Sequence, residues 1–463
     1  MKLYSSNENY KLYHGNMLDM LEVIEKESID SIVTDPPYGL TSITKRFGKE
    51  NSAECQYGKD GSFQRLSKGF MGKEWDGSGI EYNVETWKKC YEVLKPGGYL
   101  LAFGGSRTFH RIAVAIEDAG FEIRDTIMWL YGSGFPKSLN ISKTLEKREG
   151  MIEETTGTLF NNPGGKRDLS KRSDYGYIYE PQLYLAKQWQ GWGTALKPSF
   201  EPIIVARKPF KGSLVDNVIE YGVGGINIDE CRVKFIENEN TLRPTGNKQY
   251  FGLSPNVNII GGSEMGRFPA NTILTYDETD FDEVCGGFPN NTASYRKGNR
   301  DSRKAMFDFG SQDKTNQGYT DNGSASRYFY TAKASKKDRD EGLDEFEDGN
   351  ITDGRKAISD RPYLRKETLR KNTHPTVKPT DLMQYLVRLV TPNNGTILDP
   401  FNGSGSTGKA VMYENKERNK NYKYIGIELT EEYLPISKAR IEYVCNLKAE
   451  INPQMSIFDF DEK

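Results

Sequence analysis

Two short segments of this sequence combine residue types that could do chemistry. The first is Asp35–Tyr38 (DPPY), which follows the apolar residues of SIDSIVT and so lies where a strand ends. A proline cannot donate a hydrogen bond to a sheet and fixes the backbone, so the side chain of Asp35 is held at the strand tip. The structural alternative is an ordinary Asp-Pro turn that closes the strand.

The second segment is a glycine turn between a strand and a helix. Gly403, Gly405 and Gly408 fit the pattern G-x-G-x-x-G, and Glu428 lies twenty residues beyond Gly408, at the end of the next strand. Glycines allow close approach of a ligand, and an acid at the neighbouring strand end accepts hydrogen bonds from ribose hydroxyls. The pattern predicts a nucleoside site and leaves open a dinucleotide, a nucleoside triphosphate or S-adenosylmethionine. Packing of a helix on a sheet is the structural alternative.

A phosphate-binding loop fits the same turn only in part. The segment also reads G-x-x-x-x-G-K, but Ala410 stands where such a loop has the hydroxyl that holds magnesium. We therefore do not expect ATP binding.

Two stretches of alternating strands and helices must position these segments. The first runs through SIDSIVT, VETWKKCYEVLK, a PGG turn, YLLAFGG, TFHRIAVAIEDAG and FEIRDTIMWLYG. The second runs through DLMQYLVRLVT, TILDPF, GSGSTGKAVMYE, KYIGIEL and EEYLPISKARIEYV. This alternation predicts an α/β fold, in which helices cover a sheet.

The middle of the chain, residues 135–371, has weaker periodicity. Isolated apolar pieces, such as EPIIVARKP and FPANTILTY, are separated by polar stretches rich in glycine, asparagine and serine. Residues 288–337 contain ten Lys or Arg against four Asp with interleaved aromatic residues, a pattern that suits nucleic acid and equally a solvated loop. We interpret the acidic run 338–348 (DRDEGLDEFED) as a solvated connector.

Composition excludes several classes of protein. With 463 residues, 12% of them aromatic, and a net charge of −2, the chain is neither a small disulfide-stapled module nor wholly disordered, and two or three domains are expected. The five cysteines are scattered without a C-x-x-C pair, and the chain has only three histidines that could complete a ligand set. We therefore expect no metal site. The first residues contain no apolar signal segment and the apolar stretches are short, so we expect a cytoplasmic protein.

The two chemical segments together resemble a known family. DPPY at 35–38, followed after a long region by DPFNGSG at 399–405, resembles the permuted, beta-type DNA amino-methyltransferases, the N-4/N-6 DNA methylases. NTHPTVKPTDLMQYLVRLVTP is similar to phage or prophage members. The resemblance implies a circularly permuted, Rossmann-like fold with a mixed, mostly parallel sheet and helices on both faces. It implies a catalytic half at 1–134, an inserted target-recognition region and connector at 135–371, a donor-binding half at 372–446 and a tail at 447–463.

The reaction implied by this resemblance is methyl transfer from S-adenosylmethionine to an exocyclic amine of a base in double-stranded DNA. The carboxylate of Asp35 and the carbonyl of Pro36 would accept the two N–H hydrogens, so that the nitrogen lone pair faces the sulfonium methyl. Pro37 keeps the strand tip rigid, and Tyr38 would stack on a base rotated out of the duplex. Positioning supplies the catalysis, with no metal and no covalent enzyme intermediate expected.

The resemblance also places a set of side chains around the methyl donor. Phe401 would give apolar contact, with a core position as the alternative, and the alternative for His374 is a helix contact. Asn16 stands where the family often has an acid, which makes Asp19 an alternative. The expected donor-binding residues are Asn16, His374, Thr376, Lys378, Asp399, Phe401, Asn402, Gly403, Gly405 and Glu428.

Several alternatives stay open at this point. DPPY is commoner in family members that modify adenine N6 and SPPY in those that modify cytosine N4, so we expect adenine and keep cytosine as the alternative. A dinucleotide-dependent oxidoreductase would leave DPPY unexplained, and a non-catalytic DNA-binding protein would not need an intact Asp35 and Tyr38. The enzyme would serve restriction-modification, phage self-protection or epigenetic marking.

A second resemblance concerns the tail. Gln454, Met455, Ser456, Ile457 and Phe458 are similar to the short peptide by which bacterial replication proteins bind the sliding clamp. The alternative is that this strip packs on its own domain.

Overall fold

A mixed sheet with helices on both faces forms the centre of this computed structural model. The structure describes residues 2–38, 79–131, 138–151, 180–233, 266–275, 290–291, 323–324, 329–332, 336–350 and 369–447. The predicted clamp-binding peptide and most of the basic segment 288–337 lie outside these residues.

The described residues contain strands and helices in alternation along most of their length. The strands are β1 (Lys2–Ser6), β2 (Tyr10–His14), β3 (Ile29–Thr34), β4 (Leu94–Phe103), β5 (Glu122–Tyr131), β6 (Phe200–Arg207), β7 (Thr272–Thr275), β8 (Asn290–Asn291), β9 (Gly323–Ser324), β10 (Tyr330–Thr331), β11 (Gly349–Asn350), β12 (Leu369–Arg370), β13 (Thr396–Asp399) and β14 (Lys423–Glu428). The helices are α1 (Met17–Leu21), α2 (Val84–Val93), α3 (Phe109–Asp118), α4 (Ile141–Arg148), α5 (Tyr184–Gln188), α6 (Leu214–Tyr221), α7 (Lys336–Asp340), α8 (Thr380–Val390), α9 (Ser406–Glu417) and α10 (Leu434–Asn446). Short 3-10 turns occupy Ile80–Tyr82, Asp229–Cys231 and Glu431–Tyr433. None of the helices in this part of the chain is long and apolar enough to cross a membrane.

The main sheet has the strand order β1-β2-β14-β13-β3-β4-β6-β5-β7-β10. The five strands from β2 to β4 in this order run parallel to one another. β6 runs antiparallel to both of its neighbours, β4 and β5. The prediction of a mixed, mostly parallel sheet is confirmed, while the circular permutation stays a prediction.

Two apolar layers hold the helices on the sheet. On one face, α8, α9 and α10 pack with Leu386 and Val411, and on the other, α1, α2 and α3 pack with Trp87 and Ile112, all four side chains being fully buried. α2 shows how sequence produces this layer: the Asn83 side chain accepts from the Glu85 N–H to cap the helix, and the buried positions recur on one helical face. The predicted cover of helices on both faces is therefore confirmed.

The PGG segment does not form the predicted turn between α2 and a later strand. Residues 94–103 are one strand with a bulge, because Ile29 of β3 pairs with Leu94 and Ser31 pairs with Tyr99. Gly97 (φ +81°) makes the bulge possible, and its N–H donates to the carbonyl of Lys208 at 2.9 Å. This bond ties the glycines to the end of β6, so the chain stays within the sheet.

Segment 135–371 contributes a strand to the centre of the main sheet, which the sequence did not predict. β6 pairs with β4 on one side and β5 on the other, and Ile203 and Ile204 point to opposite faces and are both buried. A run that is apolar on both faces fits a central strand. The main sheet thus includes residues beyond 134, and the division into four segments stays a prediction.

The first part of the acidic run 338–348, residues 338–343, is packed, so the interpretation as a solvated connector fits only the exposed acids that follow it. The Lys409 ammonium is completely buried and lies 2.6 Å from an oxygen of Asp338 and 2.8 Å from an oxygen of Glu341. Leu343, in the same run, is buried against Tyr433. A buried cation must be paired, and this requirement draws the two carboxylates inward.

Candidate functional site

The two sequence-distant segments meet at one edge of the sheet. β3 and β13 are parallel neighbours, so the residues that follow them leave the sheet at the same edge. The Thr34 hydroxyl donates to Asp399 Oδ1 at 2.6 Å, although these two residues are 365 positions apart. Asp35, which follows Thr34, and Phe401, which follows Asp399 by two residues, line the same cleft.

This cleft has an empty volume of about 1000 Å³, its solvent-open part included. The residues predicted from sequence that line it are Asn16, Asp35, Pro37, His374, Thr376, Lys378, Asp399, Phe401, Asn402, Gly403 and Glu428. Pro36, Tyr38 and Gly405 do not belong to the lining, and Pro36 is buried. Among the described residues, no group of acidic, histidine or cysteine side chains could hold a metal ion.

One oxygen of the Asp35 carboxylate is paired and the other is not. Lys378 Nζ donates to Asp35 Oδ2. Asp35 Oδ1 is buried and has no hydrogen-bond partner among the described residues. Burial raises the pKa of Asp35, and the Lys378 ammonium opposes this shift. An unpartnered buried acceptor can take an N–H donor from a ligand.

Lys378, which the sequence assigned to the donor-binding residues, lines the cleft and also contacts Asp35 of the DPPY segment. Its ammonium is 3.5 Å from Glu201 Oε2 and 4.8 Å from the centre of the Phe103 ring, in addition to its bond to Asp35. Burial would lower the pKa of Lys378, but the two carboxylates outweigh burial and raise it. The side chain is therefore a charged ammonium shared by two acids.

Tyr38 is held at both its side chain and its backbone. The phenol donates to Glu201 Oε2 at 2.7 Å. The Tyr38 carbonyl accepts from the Tyr82 hydroxyl at 2.7 Å and from the Thr108 hydroxyl at 2.8 Å. Sequence reasoning missed Glu201, although an acid that starts the apolar strand EPIIVAR was the available signal.

Both oxygens of the Asp399 carboxylate accept hydrogen bonds from the chain. Besides the Thr34 hydroxyl, the carboxylate accepts from the Thr407 hydroxyl at 2.7 Å and from the Phe401 N–H at 3.1 Å. Burial raises the pKa of Asp399 to about 6, even though these hydrogen bonds lower it. Asp399 thus fixes the start of the glycine loop.

Gly403 lies directly against His374. Its φ of +52° is in the left-handed region, and a Cβ at this position would be 2.9 Å from His374 Nε2. His374 is buried, with Nδ1 at 3.0 Å from the Thr376 carbonyl, and burial lowers its pKa to about 3. A neutral imidazole therefore forms one wall of the loop. Gly405 instead packs on Ser437, where a Cβ would be 2.5 Å from its Oγ.

Glu428 closes the far end of the cleft. One carboxylate oxygen accepts from the Gly403 N–H and the other from the Thr430 N–H, each at 2.7 Å. Burial raises the pKa of Glu428 to about 7. Asn16 lines the same end, where its Oδ1 caps α1 by accepting from the Leu18 N–H.

Three other residues can now be assigned a position. Asp19, the alternative to Asn16, is exposed and outside the cleft lining. The Asn402 side chain bonds Ser437 and Tyr424 at 2.9 and 2.8 Å, so it mainly holds the loop on α10 and β14. Phe401 is partly buried, with its ring centre 6.5 Å from that of Trp87.

Lys409, the lysine of the partial phosphate-loop pattern, is held away from the cleft. Its ammonium bonds Asp338 and Glu341, as described above, and it is absent from the cleft lining. The geometry therefore supports the expectation that this turn does not bind ATP through its lysine.

Comparisons with known proteins give a consistent picture. The sequence profile of a DNA methylase family, the N6/N4 type, matches residues 29–439. The chain is 27% identical over 235 residues to the Type II methyltransferase M.HindIII of Haemophilus influenzae, in a match that covers 47% of this chain and 64% of that protein. It is 26% identical over 257 residues to the Type II methyltransferase M2.LlaDCHI of Lactococcus lactis subsp. cremoris, with 51% and 86% covered. The match thus spans slightly less than two thirds of the Haemophilus protein.

One solved structure that aligns with this chain is that of the cytosine-N4-specific PvuII DNA methyltransferase. It aligns with 95% of this chain and 90% of its own, at 13% identity and a TM-score of 0.38.

Proposed function

This chain belongs to the N6/N4 DNA methylase family, and from that premise we propose that it transfers the methyl group of S-adenosylmethionine to the exocyclic N6 of adenine in double-stranded DNA. The donor lies against the Phe401 loop and the target base enters beside Asp35. Methyl transfer to N4 of cytosine is the alternative for the same site.

The observation that carries this proposal is Asp35 Oδ1, which has no partner in the part of the chain that the structure describes and is buried at a cleft shared with Phe401 and Glu428. An exocyclic amine is a poor nucleophile because its lone pair is delocalised into the ring. An oxygen that accepts one N–H, together with the Pro36 carbonyl for the other, favours a tetrahedral nitrogen with its lone pair free. A dinucleotide oxidoreductase has no use for such an acceptor.

The residues of the cleft fit the proposed donor. S-adenosylmethionine, when bound, supplies a methyl group on a positively charged sulfur. Asp35 and Asp399 give this end of the cleft a negative character that suits a sulfonium. Each Glu428 oxygen already accepts one backbone N–H and has a second lone pair left for a ribose hydroxyl. Phe401 and Ile427 supply apolar contact.

Tyr38 and Lys378 act on the base side. The Tyr38 ring is partly exposed and anchored through its hydroxyl, so it offers a fixed surface on which a base rotated out of the duplex can stack. Lys378 favours the ionised form of Asp35, because its ammonium opposes the rise that burial causes in the pKa of that carboxylate. The ionised form is the one that accepts an N–H from the base.

We assign target recognition to the segment 135–371. Two parts of it that the structure describes, 138–151 and 180–199, lie in the chain between the end of β5 and the start of β6, which is at the sheet edge that carries Asp35. Tyr184 is 77% exposed and Trp192 59% exposed in this lobe. Exposed aromatic side chains beside a base-flipping site suit contact with DNA.

Two independent measurements test the proposed reaction. Purified protein is first incubated with labelled S-adenosylmethionine and mixed-sequence duplex DNA, and we expect label in the DNA. DNA from a methylation-deficient host that expresses the chain is then read by methylation-sensitive long-read sequencing, and we expect N6-methyladenine at one short motif. N4-methylcytosine instead would overturn the choice of base, and donor binding without any DNA label would overturn the proposal.

We also propose, from sequence, that the tail peptide Gln454–Phe458 binds the sliding clamp. A terminal peptide with an anchoring glutamine and apolar residues suits a pre-formed groove. The test is a pull-down with purified clamp, comparing the wild type with a Gln454→Ala, Phe458→Ala double variant. We expect the double variant to lose binding, and equal binding would refute the idea.

A further inference from the structure

Glu201 joins the base-stacking tyrosine to the acceptor carboxylate. It lies near the start of β6, at the edge of the sheet where β3 ends, and its Oε2 accepts from the Tyr38 phenol at 2.7 Å. The same oxygen is 3.5 Å from the Lys378 ammonium, which in turn bonds Asp35. Glu201 belongs to neither motif, and it is outside the cleft lining.

The charges in this cluster make each contact depend on the others. Two carboxylates, Asp35 and Glu201, share one ammonium in a place where all three side chains are at most 21% exposed. Electrostatic interactions are stronger in such surroundings than in water. Glu201 repels the Asp35 carboxylate and so raises its pKa, while Lys378 lowers it. The pKa of Asp35 therefore depends on both Lys378 and Glu201.

We propose that Glu201 is a positioning residue for the methyl transfer: it fixes the Tyr38 ring through the phenol and gives the Lys378 ammonium a second carboxylate, so that Lys378 is held where it bonds Asp35. This inference rests on the proposed function. Glu201 touches neither donor nor base in it, and it acts through Tyr38 and Lys378. The strand that supplies Glu201 belongs to segment 135–371, so that segment helps to build the catalytic centre.

A Glu201→Ala variant removes both contacts at once. The Tyr38 phenol loses its hydrogen bond to Glu201 and keeps Asp35 as a carboxylate neighbour. Lys378 likewise keeps Asp35 as its carboxylate partner. We expect kcat to fall about 30-fold while the dissociation constant of S-adenosylmethionine stays within about twofold, because no donor-side bond is changed. A Glu201→Gln variant keeps an oxygen acceptor for the Tyr38 phenol, and we expect it to recover most of the lost rate.

The pH profile separates this role from a merely structural one. Glu201→Gln removes a negative charge that raises the pKa of Asp35, so the acid limb of kcat/KM should move to lower pH by about half a unit. The titratable and charged groups that face Asp35 are Lys378, Glu201, Tyr38 and Asp399. Of these, the substitution alters only Glu201, which makes the direction of the shift diagnostic.

The matched control is Glu122→Gln. Glu122 starts the neighbouring strand β5 at the opposite end of the sheet and pairs with Arg207 at 2.7 Å, so its loss removes a comparable ion pair away from the cleft. We expect an unchanged rate and an unchanged acid limb. If Glu201→Ala does not fold, the Glu201→Gln profile alone decides the matter.

The outcomes are distinguishable from failure of the proposed function. A wild-type protein that does not methylate DNA overturns the proposed function and this inference with it. A wild-type protein that methylates DNA, with a Glu201→Ala variant as fast or a Glu201→Gln acid limb unmoved, overturns the inference alone.

Discussion

The two walls of the cleft are built in different ways. On the donor wall, the Asp399 carboxylate accepts hydrogen bonds from two threonine hydroxyls and a backbone N–H, and both Glu428 oxygens are engaged by backbone N–H groups. On the acceptor wall, Asp35 keeps one buried oxygen without a partner among the described residues, and its other oxygen accepts from the Lys378 ammonium. Each carboxylate oxygen of the donor wall thus has at least one partner in the chain, whereas one oxygen of the acceptor wall has none among the described residues.

This difference indicates how the two ligands are received. A satisfied wall is preorganised, so a donor binds without rearrangement of the loop. An unpartnered buried acceptor costs about 1–3 kcal/mol in the free energy of folding, and a ligand N–H that reaches it removes this cost. We infer that the acceptor wall is completed only by the target base. Four changes would sharpen or break this contrast.

The largest effect is expected for Asp35→Ala. It removes the unpartnered acceptor, so we expect kcat to fall about 1000-fold, while donor affinity changes less than about twofold. Single-turnover methylation and calorimetric donor titration measure the two quantities. Asp19→Asn, an exposed acid outside the cleft, is the control and should match the wild type. Normal turnover in Asp35→Ala would refute the assigned role.

The second-largest effect is expected for Lys378→Met. It leaves Asp35 and Glu201 facing each other without a cation, so the pKa of Asp35 rises further and the acid limb of the rate profile moves to higher pH. At neutral pH we expect kcat to fall about 100-fold and donor affinity to change less than about threefold. If the variant binds the donor weakly but has a normal kcat at saturating donor, Lys378 is a donor-binding residue instead.

Gly403→Ala tests the donor wall. A side chain at φ +52° is strained, and its Cβ would be 2.9 Å from His374 Nε2, so the loop must shift. We expect the donor dissociation constant to rise about tenfold, with little change in kcat at saturating donor. Gly225→Ala is the control, because a Cβ there meets open space. An unchanged dissociation constant would show that the loop does not hold the donor.

The smallest effect is a pH dependence of donor binding. If ribose hydroxyls bond the ionised Glu428, whose pKa is about 7, donor affinity should weaken as pH falls from about 8 to 6, by up to about tenfold. Calorimetry across this range measures it, and Glu428→Gln should flatten the curve. Any pH dependence of donor affinity that remains in the Glu428→Gln variant would come from Asp399, whose pKa is about 6. A wild-type curve that is already flat would contradict the assignment.

Local sequence predicted the motifs at the ends of β3 and β13 because each is written in contiguous residues. Glycines, prolines and an acid at a strand end specify a local backbone, and most of the residues named from these motifs line the cleft. Most of the helices and strands next to these motifs also followed from periodicity, whereas the continuous strand β4 did not.

Contacts between distant segments were not accessible in the same way. Tyr38 and Glu201 are 163 positions apart, and Asp35 and Lys378 are 343 apart. Periodicity assigns a side chain to a face of its own strand, but packing decides which strands become neighbours. For this reason the place of β6 in the sheet and the partner of Lys378 were both missed. The first part of the acidic run was misinterpreted for a related reason. Its charge density predicted exposure to solvent, but the buried Lys409 ammonium pairs with two of its carboxylates.

The position of β3 in the sheet has a consequence for synthesis of the chain. β3 lies between β4, which follows it closely, and β13, which the ribosome delivers only after residue 396. Until then, one edge of the strand that leads to Asp35 has no hydrogen-bond partner, and unpaired edges promote aggregation. Such non-local pairing also slows folding. The nascent protein therefore completes the sheet edge that carries Asp35 only after β13 has been synthesised.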